Sequence, residues 1–291
     1  MLAVLCAILA AGMYAAASVL QQRTASAESH EHALRLGLLT RLIQNPIWLL
    51  GVGADLGGYV FQFVALGNGT LVVVQPLLVC GLLFALPIGA HWGGSRLRAQ
   101  DWLGAVAVCA GLAVFLVVAR PAAGHDNVHL SKWIALLSAA AVVCAVLLAA
   151  CRHRSLRQRA VLLSGVAGIT YGVAAALTKT CAHLLTRGIP VLLTHWQPYV
   201  LVALGVGGMV VSQSAFQAGT LDASLPTMTV VDPIVSILIG AVAFGESLDI
   251  GAISSTTEVI ALIVMTIGVF LLARTKAVRG LHEPTEEPRV V

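Results

Sequence analysis

Nine apolar runs of about 20 residues each divide the chain, at roughly 2–21, 45–67, 69–93, 102–119, 132–151, 161–184, 198–218, 220–245 and 252–273. About 20 apolar residues in helical conformation cover the hydrocarbon core of a bilayer. Inside that core a chain must satisfy its own backbone hydrogen bonds, so the runs are restricted to helices or a closed barrel, and their length selects helices. The composition agrees: 10% of the 291 residues are charged, 58% are hydrophobic and the mean hydropathy is +0.92, whereas a soluble domain carries roughly 25% charged residues. Two further semi-apolar segments, 33–43 and 189–196, are too short to cross and read as interfacial or re-entrant pieces. The first run has small residues at 15–18 but no Lys or Arg before it, so it is expected to be a retained span and not a signal peptide.

Basic residues set the expected orientation. With the C-terminus in the cytoplasm, the inner connections and tail hold thirteen: Arg23, Arg35, Arg41, Arg96, Arg98, Arg152, Arg154, Arg157, Arg159, Arg274, Lys276, Arg279 and Arg289. The outer side keeps three, Arg120, Lys132 and Arg187. This bias predicts N-terminus out and C-terminus in. The acidic connection from Glu246 to Gly251 then falls outside, and the tail 276–291, with its prolines and glutamates, is expected to be disordered in the cytoplasm. A net charge of +4 is too small to argue for nucleic acid.

The text of the chain repeats. Leu50-Gly51-Val52-Gly53 followed by Phe61-Gln62 has a counterpart in Leu204-Gly205-Val206-Gly207 followed by Phe216-Gln217, and Val73-Val74-Gln75-Pro76-Leu77 one in Val230-Val231-Asp232-Pro233-Ile234. Tyr14 and Leu20-Gln21-Gln22 correspond to Tyr171 and Leu177-Thr178-Lys179. Runs one to four are thus repeated as runs six to nine with one run between them. An odd number of intervening crossings inverts the second copy, an arrangement found in secondary transporters with a site at the midplane where the repeats meet. The expected fold is an all-α polytopic membrane protein of about nine transmembrane helices: a first repeat at 1–120, a linking helix and loops at 121–160, and an inverted second repeat at 161–275.

Few ionisable groups lie inside the runs: Asp55, Asp232, Lys179 and Glu258. Asp55 and Asp232 are mid-run, about 15 Å from either interface at the helical rise. Carboxylates at that depth face the protein interior or a water-filled cavity. Each reads either as a substrate or coupling-ion group or as a structural acceptor for nearby hydroxyls and amides. Pro76 and Pro233 are expected helix breaks that free the carbonyls of Val72 and Thr229, for ligand contact or simply for packing. Gln62, Gln75, Gln213 and Gln217 offer neutral amides, which suit polar solutes or ion hydration shells as well as contacts between helices. Tyr14 and Tyr171 either line a cavity or pack. Lys179 either snorkels to the outer interface or neutralises an acid, and Glu258 reads as interfacial. Gly51, Gly53, Gly57, Gly58, Gly205, Gly207 and Gly208 predict close helix approach.

The six cysteines are scattered without a Cys-x-x-Cys pair, so neither a disulfide framework nor a metal knuckle is expected. No nucleophile with a base, phosphate loop or His-Glu metal pattern appears, which leaves enzymatic function and a bound cofactor without support.

Ala223-Ser224-Leu225-Pro226, Asp232-Pro233, Gly240 and Phe244-Gly245-Glu246 together resemble the signature helix of the drug/metabolite transporter (EamA-like) superfamily. The nine-span layout is similar to that of bacterial relatives of the NIPA magnesium-transporter branch. Gly53-Ala54-Asp55 stands near that branch's Gly-Glu, Val73-Val74-Gln75-Pro76-Leu77 stands for its Leu-Val-x-Pro-Leu, and Gln213 matches a glutamine of the seventh span. The chain departs from the branch at Asp55, where the branch has glutamate, and at Ile88-Gly89-Ala90, where an acidic residue is missing. The resemblance implies a transporter of a small solute working by alternating access. A divalent-cation (Mg²⁺) carrier or channel is the second expectation, with the metal ligands undefined, and a non-transporting membrane scaffold or accessory subunit is the third. The expected partners are membrane lipids and a small-molecule or ion substrate; a homodimer is compatible with the sequence.

Overall fold

The structure is a computed structural model that describes residues 1–25, 42–81, 128–218 and 221–246, with isolated positions between 83 and 125 and at 267. Among the described residues it is all-helical, without strands. The elements are α1 (Leu2–Ala25), α2 (Pro46–Gly67), α3 (Leu71–Val79), α4 (Leu130–Ala150), a 3-10 turn (Cys151–His153), α5 (Leu156–Thr186), α6 (Ile189–Thr194), α7 (Gln197–Ala218) and α8 (Leu221–Val242). Five of them contain stretches long and apolar enough to cross a membrane: Leu2–Gln21, Pro46–Gly67, Leu130–Ala150, Leu156–Thr186 and Gln197–Ala218.

Local chemistry sets several of the boundaries. Asn45 caps α2 by accepting from the Ile47 amide at 2.9 Å, and Pro46 occupies the first turn, where no intrahelical donor is needed. Thr70 caps α3 in the same way through the Val73 amide at 3.3 Å. Gly188, at φ 115°, turns the chain out of α5 into the short α6.

The expected runs 2–21, 45–67, 132–151, 198–218 and 220–245 each fall on one helix. Run 161–184 extends further, over the 31 residues of α5, because the arginine-rich stretch before it continues the helix. Run 69–93 begins as α3, which ends at Val79. Segment 189–196 forms the six-residue α6 and does not cross. Runs 102–119 and 252–273, segment 33–43, Glu258 and the tail 276–291 lie outside the described residues, isolated positions apart.

α5 is the axis of the bundle, packed against α2, α4, α7 and α8. Its apolar window is 72% buried, against 6% for α4, although α4 is the more hydropathic of the two. A helix that is apolar all round yet almost bare suits a lipid surrounding and not water. The outer faces of other helices also carry exposed apolar residues one turn apart: Leu5 and Leu9 on α1, Val202 and Val206 on α7, and Ile234, Leu238 and Val242 on α8. Exposed stripes of this kind are costly in water and neutral in hydrocarbon, so the chain is an integral membrane protein. The buried core draws on both halves, with Leu66, Leu71 and Leu77 meeting Leu177, Phe216 and Phe244. Trp133 joins α4 to it through T-shaped contacts with Trp196 at 5.8 Å and Phe244 at 6.2 Å.

The glycine expectation is met in part. A methyl group added at Gly58 would lie 2.9 Å from the Tyr14 ring on α1, and one at Gly208 would lie 2.8 Å from the Tyr171 ring on α5. Gly53, Gly205 and Gly207 instead face open space. Of the glycines in the repeated Leu-Gly-Val-Gly text only Gly51 is a contact, where a methyl group would lie 2.9 Å from Gln21, because a helix presents only one stripe of residues to its neighbour. A close approach of two helices also falls on a pair not singled out above, Gly168 and Gly172 of α5. Methyl groups there would lie 2.8 Å from the Cβ atoms of Val231 and Val235, and the one at Gly172 would lie 2.9 Å from the Asp232 carbonyl oxygen.

Candidate functional site

Close packing of α5 on α8 fixes where Asp232 can point. Its Oδ1 accepts from Ser236 Oγ, one turn on, at 3.2 Å, and the same hydroxyl reaches the Gly172 carbonyl at 3.4 Å. One hydroxyl proton shared between two acceptors leaves the carboxylate incompletely solvated by protein. Asp55, on α2, has the Gln21 side chain of α1 as its polar neighbour. Tyr14 and Tyr171, on the first helix of each half, each lie within electrostatic reach of both aspartates. The two acids, far apart in sequence and on different helices, thus share one neighbourhood.

Side-chain hydrogen bonds knit this neighbourhood together. Tyr14 donates to Gln62 Oε1. Tyr171 donates to Ser212 Oγ at 3.0 Å. Gln213 Nε2 donates to Gln21 Oε1 at 2.6 Å, joining α7 to α1. Tyr59 and Thr178 meet at 3.1 Å, joining α2 to α5; Thr178 Oγ1 donates to the Ala174 carbonyl at 2.7 Å, so Tyr59 is the donor to Thr178. Tyr59 and Gln21 were not expected site residues, although Gln21 lies in one of the repeated segments and Tyr59 three residues before Gln62.

Gln75 stands apart. It is 1% exposed, and neither its amide nitrogen nor its amide oxygen has a hydrogen-bond partner. An unpaired buried amide is costly and marks a place for a polar guest or water. Gln213 Oε1 is likewise unpartnered, while Gln217 is buried on α7.

The prolines do not act as helix breaks. α8 runs without interruption through Pro233, and α3 passes through Pro76 before ending at Val79. A proline removes one donor, a loss that the surroundings of a membrane helix can absorb.

Lys179 does not snorkel. It is 8% exposed and forms an ion pair with Glu246, with its ammonium 4.9 Å from the centre of the Phe244 ring. Glu246 was expected in an external connection, but it is 2% exposed. Its carboxylate also accepts from the Leu71 and Val72 amides, both at 3.2 Å. These are unsatisfied donors of the first turn of α3, where a negative charge also meets the positive end of the helix dipole. The turn that carries Glu246 inward includes Gly245 at φ 62°, and Glu246 Oε2 lies where a side chain on Gly240 would clash. The sequence signal was the Gly-Glu ending of the eighth run. Among the described residues no three His, Cys, Asp or Glu side chains are grouped to hold a metal ion.

A protein of Corynebacterium glutamicum, named uncharacterized protein Cgl0250/cg0304, is 33% identical to this chain over 276 residues, which is 94% of this chain and 96% of that one. The two belong to one family. The match extends over both halves of the bundle, so the family shares the whole architecture and not one module of it. No family model and no solved structure matches the chain.

Proposed function

We propose that this family member is a multi-pass transporter of the drug/metabolite type in the plasma membrane, moving a small solute by alternating access through a midplane site built around Asp55, Asp232 and Gln75. In this reading nine spans form two inverted four-helix repeats about a linking helix, with the N-terminus outside and the C-terminus in the cytoplasm. The observation that carries the reading is that Asp55 and Asp232, half-buried on separate helices, both lie within electrostatic reach of Tyr14 and Tyr171, since acids gathered from separate helices mark ion and substrate paths in membranes.

The pairing of helices supports the two-repeat frame. α1 packs on α2 and α3, as α5 packs on α7 and α8; across the halves α1 meets α7, as α5 meets α2. The tyrosine bonds follow the same frame, Tyr14 with Gln62 on one side and Tyr171 with Ser212 on the other. So do the cross-links, Gln21 with Gln213 and Thr178 with Tyr59. A divalent-cation carrier ranks second, because hard cations take six or more oxygen ligands and the described midplane residues offer two carboxylates.

The test is a thermal-shift screen of the purified full-length protein against Mg²⁺, hydrophobic cations, amino acids and sugars at two pH values, followed by uptake of the stabilising solute into proteoliposomes. Asp232→Asn, with folding checked by circular dichroism and gel filtration, is expected to lower uptake at least tenfold. Uptake at the wild-type rate would remove Asp232 from the mechanism.

A further inference from the structure

A cavity of about 710 Å³ opens at the end of the bundle, at the turn after α8, and is lined by His125, His129, Lys132, His183 and Arg187, together with Gly124, Ala243 and Gly245. Its volume lies in the range of small-molecule sites, roughly 300–1,000 Å³. Among the described lining residues there is no Asp or Glu. Glu246, next to the lining residue Gly245, points inward and is occupied by Lys179 and two α3 amides, while Asp126, which follows His125 in the chain, lies outside the described residues. The described wall of the cavity therefore collects a lysine, an arginine and three imidazoles.

Its walls are ordered by backbone contacts. The His125 amide donates to the Phe244 carbonyl at 2.6 Å, pinning the 124–125 strand of chain to the turn after α8. Lys132, at the start of α4, reaches the Val242 carbonyl at 3.4 Å, which uses one of its three donors. Arg187 lies 3.3 Å from His183 Nε2 through one terminal nitrogen, and the guanidinium has five donors in all. The three histidines are not grouped as a metal site, and a lysine and an arginine beside them would repel a cation.

We propose that this cavity is a binding site for a phosphate-type oxyanion, either free or as the headgroup of a lipid. Arg187 supplies forked donors for the oxygens, Lys132 supplies a point charge, and the imidazoles add donors around them. The site is at the rim of the bundle, distinct from the midplane residues, and does not depend on the transport reading.

The experiment is titration of the purified full-length protein in neutral nanodiscs with inorganic pyrophosphate at constant ionic strength, read by thermal stability and by calorimetry. A parallel arm uses native mass spectrometry to count phosphatidylglycerol retained from mixed nanodiscs. The variants are Arg187→Gln, Lys132→Gln and the double variant, all at exposed positions where folding is retained. Saturable pyrophosphate binding weakened at least tenfold in Arg187→Gln and lost in the double variant supports the free-anion source. Retained phosphatidylglycerol, lost in the double variant, supports the lipid source. Two results would overturn the site: no saturable pyrophosphate binding together with no phosphatidylglycerol retention, or binding of either that is unchanged in the double variant.

Discussion

The two halves of the bundle use the same pairs of helices but different chemistry at the joints. In the first, Tyr14 donates to an amide, Gln62; in the second, Tyr171 donates to a hydroxyl, Ser212. The acid of the first half stands on its second helix, at Asp55 of α2, and that of the second half on its third, at Asp232 of α8. Where α8 has Asp232-Pro233, α3 has Gln75-Pro76, with the amide unpartnered. Apolar packing tolerates duplication, because shape alone must match. A second buried carboxylate at the matching position would add like-charge repulsion in a medium of low dielectric.

The largest expected effect tests what joins the halves. Glu246→Ala removes the partner of a buried ammonium and strips two α3 amides, and it is expected to cost about 3 kcal/mol or more, the usual consequence of breaking a buried pair from one side. Chemical denaturation in mixed micelles measures it, and Lys179→Met combined with Glu246→Leu should recover part of the loss. If Glu246→Ala unfolds with the wild-type midpoint, the Glu246 contacts are not what joins the halves.

A smaller effect separates contact register from textual repeat. Gly172→Ala places a methyl group against the Asp232 carbonyl and the Val235 Cβ and is expected to cost about 1–3 kcal/mol as overpacking. Gly205→Ala, facing open space, should stay within about 0.5 kcal/mol of wild type. Equal thermal stability of the two variants would contradict the packing of α5 on α8.

The smallest effect compares the tyrosines. Tyr14→Phe and Tyr171→Phe each remove one part-buried donor, at a cost of about 0.6 kcal/mol for a typical hydrogen bond inside a membrane protein. Tyr14→Phe leaves the Gln62 oxygen without its donor, whereas Ser212 keeps its own bond to the Met209 carbonyl at 3.0 Å. The Tyr14 variant is therefore expected to be the less stable of the two in thermal melts.

Helix existence and membrane character were legible in the sequence because both follow from run length and hydropathy. The mid-helix positions of Asp55 and Asp232 followed from counting along those runs. What the sequence concealed was direction. Gly51 and Gly53 are two residues apart on one helix, yet a methyl group at the first meets Gln21 at 2.9 Å and one at the second meets nothing. Lys179, read as either an interfacial lysine or the neutraliser of an acid, pairs across 67 residues with Glu246, which was read as a loop acid. A long-range pair between a helix interior and a turn leaves no periodic trace. The four-residue spacing of Gly168 and Gly172 did leave one, and it marks the contact that holds Asp232 in place.

The bonds from Glu246 to Leu71 and Val72 span 175 and 174 residues. During synthesis the first turn of α3 is made long before its acceptor exists, so those amides must be satisfied by water, lipid headgroups or the insertion machinery until the eighth run has been translated. The first half can enter the membrane early but can reach its final geometry only late. A chain truncated before Glu246 would therefore be inserted yet unfinished, and recognisable as such to quality-control proteases.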